Sequence, residues 1–129
     1  MANGNKQLVL NVIGGNYDHQ LKSANYLLAA HGACLVLCLS VLKDYSPTSH
    51  FRGIGVFIVL FGIGLLAAIV NYISLSLARG VALNAVMDEI EADEATTGFL
   101  LKLHLPALIT SIGTLVLAVL IVMVRFASL

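Results

Sequence analysis

The chain has 129 residues, 59% of them hydrophobic and 11% charged, and its basic and acidic side chains cancel to zero formal net charge. That balance leaves no basic footprint of the kind nucleic-acid binding needs. The only two cysteines, Cys34 and Cys38, sit four residues apart in one apolar stretch, a helical spacing that a disulfide would distort, so no disulfide framework is expected.

Residues 1–23 open with a polar tip and continue into Leu8, Val9, Leu10, Val12 and Ile13. This run is too short to cross a bilayer and is expected to lie at the interface or to pack on a partner. Gly14 and Gly15 are expected to break it, with Asn16 or Asp18 capping the helix that follows. No secretory signal precedes the first span, which is expected to act as its own insertion signal.

Three uncharged apolar stretches follow, each near the roughly 20 residues that a spanning helix needs. The first covers residues 24–42 between Lys22 and Lys43, with Tyr26 suited to the headgroup region. A short polar connection with Ser46 and Pro47 then turns the chain back. Residues 53–78, closed by Arg52 and Arg79, form the central span; it holds no charge and has glycines at 53, 55, 62 and 64. Beyond it, residues 79–98 hold a helical stripe of Leu83, Val86, Met87 and Ile90 and then the acids Asp88, Glu89, Glu91, Asp93 and Glu94. These acids lack the ligand spacing and turn glycine of a calcium loop and read as an exposed helical face. Thr96, Thr97 and Gly98 are placed to cap the third helix, whose span covers residues 103–124 and has Pro106 in its first turns.

The fold expected is thus an all-α membrane protein, a single polytopic domain over residues 1–129. Three transmembrane helices form an up-down-up bundle, with an interfacial N-terminal segment and an acidic helical extension after the second span. Lys and Arg are shared almost evenly between the two sides, so the positive-inside rule barely orients the chain; an inside N-terminus is the slight preference.

Counted along each span from the side shared by the N-terminus and the second connection, His31, Asn71, Thr110 and Ser111 each lie seven or eight residues deep. Straight helices would put all four in one polar layer roughly 10 Å below that surface. Interhelical hydrogen bonding is the first reading of such a layer, and a ligand, ion or proton site the second. His31 and His104 differ by about six residues in depth, roughly 9 Å, which does not suit one haem iron within a chain. A haem b held by symmetric His31 residues of two copies, or a bound quinone, stays open as an alternative to no cofactor. No catalytic constellation, phosphate loop or metal-ligand set is present, and an enzyme is not expected.

Small residues mark packing faces: Ala29 with Ala33, Gly55 with Gly62, Gly64 with Ala68, and Ala107 with Ser111. They exceed what a three-helix unit needs, which points to contacts with copies of itself or with other membrane subunits. The function expected is a non-enzymatic integral membrane protein that self-associates, as a pore or a membrane-disturbing assembly. The alternatives are an accessory subunit of a respiratory or photosynthetic complex and a quinone- or haem-binding anchor. The expected setting is a lipid bilayer, multi-pass, in a bacterial inner membrane.

Overall fold

The computed structural model describes residues 2–44, 52–88 and 94–127, all of them helical. Helix α1 runs Ala2–Asp44, α2 runs Arg52–Asp88 and α3 runs Glu94–Ala127. Each contains a stretch long and apolar enough to cross a membrane. The connection at residues 45–51, with Ser46 and Pro47, lies outside the described residues, as do Glu89, Ile90, Glu91 and Asp93 of the acidic segment.

Helix α2 is the middle member: it packs along both neighbours, whereas α1 and α3 touch each other over a short stretch only. The contacts fix the directions. Asp18 of α1 pairs with Arg79 of α2 at 2.9 Å, and Lys6 Nζ donates to the Met87 carbonyl at 2.9 Å, so α1 and α2 are antiparallel. His104 of α3 pairs with Asn71 of α2, while Ser111, farther along α3, meets His31 of α1. Helix α3 therefore runs parallel to α1.

The packing face of every helix repeats at 3.5 residues. On α2 the buried positions are Phe61, Gly64, Ala68, Asn71, Leu75 and Ala78, with Ser74 beside them; on α3 they include Leu100, Ala107, Ser111 and Ala118; on α1, Ala24 and His31. A seven-residue repeat keeps one seam against a neighbour over many turns, as in coiled coils. Most of these side chains are small, which suits close backbone approach where lipid gives no hydrophobic drive to association.

Three sequence expectations are corrected. Helix α1 does not break at Gly14 and Gly15; it is continuous for 43 residues, about 64 Å. Its seam continues through half-buried Leu10, Ile13, Tyr17 and Gln20, and the Asp18–Arg79 pair ties this stretch to α2. Packing along α2 overrides the helix-breaking tendency of two glycines, so residues 2–23 are not a separate interfacial segment, and Asn16 and Asp18 cap nothing. Likewise α3 starts at Glu94, which puts Thr96, Thr97 and Gly98 inside the helix rather than before it. Pro106 then falls in the helix interior, where it deprives the Lys102 carbonyl of its usual partner. Lys102 stands at the membrane surface, where water can take that place.

The register of basic residues locates the bilayer. Nine residues separate Lys22 from His31, and nine separate Lys102 from Ser111, its partner. Twelve residues separate His31 from Lys43, and twelve separate Gly64, which abuts His31, from Arg52. The two basic levels are thus 21 residues apart, about 31 Å, the thickness of a hydrocarbon core. Helices α1 and α2 continue together past the Lys22 level as an extramembrane pair that exposes Leu8 and Val12.

A Cβ at Gly15 would meet no atom within 4 Å. Gly15→Ala is therefore expected to stabilise the protein by about 0.5–1 kcal/mol, read as the midpoint of unfolding in mixed micelles. Destabilisation would mean that the chain turns there after all.

Candidate functional site

The four buried polar side chains among the described residues are His31, Asn71, Ser74 and Ser111. They form two separate groups. Near the bilayer centre, about 14 Å from the Lys22 level, the His31 ring leaves α1 and ends on α3. Its Nε2–H donates to the Ser111 carbonyl at 3.0 Å, and Ser111 Oγ lies 3.1 Å from the same nitrogen. Phe61 of α2 meets the ring edge-on at a centroid distance of 6.2 Å. The Ser111 carbonyl also accepts from Thr114 Oγ1 at 2.9 Å.

What opens the way between α1 and α3 is a missing side chain. A Cβ on Gly64 of α2 would lie within 2.5 Å of both His31 Nδ1 and Thr114 Oγ1. No real side chain tolerates such contacts, and here the obstacle would be a ring held on its far side by Ser111. None of the other described glycines would place a Cβ within 4 Å of another atom. Gly64 is thus the notch through which the outer helices meet.

The bond to a carbonyl fixes the tautomer. A carbonyl only accepts, so the proton sits on Nε2 and leaves Nδ1 as a bare acceptor. Nδ1 is buried and has no hydrogen-bond partner. An orphaned buried polar atom costs on the order of 1–3 kcal/mol.

The second group lies about 10 Å away, close to the Lys102 level. There His104 Nδ1–H donates to Asn71 Oδ1, joining α3 to α2. Ser74 satisfies itself on the Val70 carbonyl at 2.8 Å.

The single polar layer expected from sequence is therefore corrected. Depth was counted from Ala78, the end of the uncharged stretch, but residues 53–78 span about 39 Å and overrun the bilayer. Contacts pair Gly64, not Asn71, with His31, and put Asn71 near the surface. Thr110 is also displaced: its side chain is exposed on the outside of α3, and only its carbonyl takes part, accepting from Thr114 Oγ1 at 3.1 Å. The residues missed as partners are His104, Thr114 and Phe61. A seven-residue ladder would have found His104, which shares one spacing with Ser111 and Ala118 as Gly64 does with Asn71 and Ala78; Thr114 and Phe61 lie three residues off those ladders.

The packing residues divide as well. Gly64, Ala68 and Ala107 are used inside the unit, whereas Ala29, Ala33 and Gly55 face outward and Gly62 is half-buried. His31 is 0% exposed within one chain, so two copies could share a haem through it only if each ring left Ser111. No three His, Cys, Asp or Glu side chains converge among the described residues.

Comparison of the chain with protein-family models, with curated proteins and with solved structures gives no match. The functional reading accordingly rests on the geometry.

Gly64→Ala is expected to destabilise by about 1–3 kcal/mol through overpacking against His31. Combined with His31→Ala, which removes the ring and leaves only the Thr114 hydroxyl to rotate away, the added loss should be smaller. Additive losses in this cycle, measured by unfolding in bicelles, would mean that the two residues do not touch.

Proposed function

We propose that this integral membrane protein is non-enzymatic and acts by self-association through glycine notches on its outer faces. The observation that carries the reading is the disposition of its membrane-spanning glycines. Gly64 is spent on the His31 crossing, while Gly32, Gly55, Gly62 and Gly113 would each meet nothing within 4 Å. Glycine weakens a helix by about 1 kcal/mol relative to alanine, and in bilayers such positions serve close helix approach. Gly113 lies in a shallow depression of about 610 Å³ among Ile109, Ile112, Val116, Leu117 and Leu120, and Gly55 in another of about 390 Å³.

Of the two forms of assembly, a packed oligomer fits better than a pore. A water-filled lumen needs a polar lining, whereas the outer faces of the spans present mainly Leu, Ile and Val, with Thr110 and Ser40 as isolated hydroxyls in the interior and Asn25 and Tyr26 at one end. Ser40 already donates to the Val36 carbonyl at 2.9 Å. A second reading, an accessory subunit of a larger membrane complex, draws on the extramembrane part of α1. Leu8 and Val12 are 64% and 65% exposed there, one helical turn apart, as on a docking arm. Helical spans rather than a β-barrel suit a bacterial inner membrane as the setting.

The test separates outer from inner glycines. Gly113→Leu and Gly55→Leu are expected to lower the mass of the detergent-solubilised particle by light scattering while leaving helicity unchanged. A monomeric wild-type protein, or an unaltered mass in both variants, would overturn self-association. Stable co-purification with other subunits would favour the accessory role.

A further inference from the structure

The back of α2, turned away from both neighbours, carries a second seven-residue pattern. From Val56 to Met87 it advances by three and four residues alternately, and its large apolar members are 43–66% exposed. Its two ends are 31 residues apart, so the seam is about 46 Å long. Inside the bilayer an exposed apolar face is what lipid demands, and the part that decides lies beyond it. The Lys22 surface is nine residues from His31, and so it falls near Ile73, nine residues beyond Gly64. Met87 is fourteen residues farther, about 21 Å and past the headgroups, and is still 61% exposed.

We propose that this seam is the contact between two copies of the chain, paired in parallel about a two-fold axis along the membrane normal. The inference rests on the self-association proposed above and names the surface that carries it. Copies inserted in one orientation that pair through a shared face do so in parallel, and each seam position then meets itself. Any charge on the seam would face its own like. The seam of α2 has none: the only charged residue between Arg52 and Asp88 is Arg79, which is turned towards Asp18 of α1. The backs of the other helices fail this test, with exposed His19 and Lys22 on α1 and exposed Lys102 on α3.

The residue types agree. A solvated helix normally turns charged side chains outward. The exposed positions of α2 beyond Ile73 are instead Ser76, Leu77, Gly80, Asn84 and Met87. Read as heptads, Val56, Ile63, Val70, Leu77 and Asn84 hold the a positions, which leaves Gly80 and Met87 at d. A single asparagine at an a position is the device by which a coiled coil fixes its register and its number of strands. Its amide can both donate and accept, so two copies bond to each other across the axis. Gly80, close to one turn before Asn84, lets the two backbones close there. The Gly113 face of α3 is left to join one pair to the next.

The experiment is disulfide trapping in liposomes, with single cysteines placed in the Cys34→Ala/Cys38→Ala chain and treated with a thiol oxidant. Asn84→Cys and Met87→Cys are each expected to give a covalent dimer. Leu8→Cys is the control: Leu8 is 64% exposed and lies as far from His31 as Met87 does from Gly64, so it stands at the same height on α1. It should stay uncrosslinked. Asn84→Asp, nearly isosteric and exposed, opposes two carboxylates and should weaken the pair about tenfold or more at neutral pH, read by light scattering on dilution. Trapping at Leu8 instead of at Asn84 and Met87 would overturn the seam, as would wild-type association in Asn84→Asp. Oligomers that trap at neither α2 position would overturn it too, while leaving self-association through Gly113 in place. A monomeric wild-type particle would overturn both.

Discussion

The architecture depends on the absence of one side chain. Helix α2 separates α1 from α3 along most of their length, and the outer helices meet where Gly64 leaves room for the His31 ring. Everything polar at the bilayer centre follows from that gap. His31 reaches the Ser111 carbonyl only over a bare α2 backbone, and Thr114 joins the same carbonyl from within α3. In lipid, where apolar surface gives helices no reason to associate, such a hydrogen-bonded crossing supplies register as much as stability. The bare Nδ1 is the residual cost of burying an imidazole with one partner.

That crossing also organises the apolar space around it. Below it, towards the N-terminus of α1, α2 and α3 are held by His104 and Asn71 and then α1 and α2 by Asp18 and Arg79. Above it no such tie draws α1 to α3 among the described residues, and an apolar groove of about 380 Å³ opens between them over Phe57 and Phe61. One side of the bilayer therefore holds the three helices by polar contacts, and the other leaves a wedge between two of them. The groove and the crossing are consequences of the same local geometry, seen from its two ends.

Much of this was legible in the sequence. Lys22 and Lys43, Arg52 and Arg79, and Lys102 and Arg125 bracket three uncharged stretches, and charge exclusion from hydrocarbon makes that pattern decisive for a spanning fold. His31 and Ser111 were legible as buried polar partners for the same reason. Asn71 was misplaced because an apolar stretch longer than the bilayer has no visible edge, so that only contacts show where along α2 the surface falls. Gly14 and Gly15 misled because local propensity was weighed without the neighbouring helix that α1 lies against. The small residues were legible as packing positions, but not the face each serves; Ala29 and Ala68 look alike in sequence and point in opposite directions in the fold.

The most direct test of the crossing is solid-state NMR on protein in bilayers, with the imidazole of His31 and the carbonyl carbon of Ser111 isotopically labelled in the same chain. The account requires a through-space correlation between the ring and that carbonyl and a proton on Nε2. The signal must also persist when labelled chains are diluted in unlabelled ones. Loss of the correlation on dilution, or an imidazole protonated on Nδ1 instead, would contradict it.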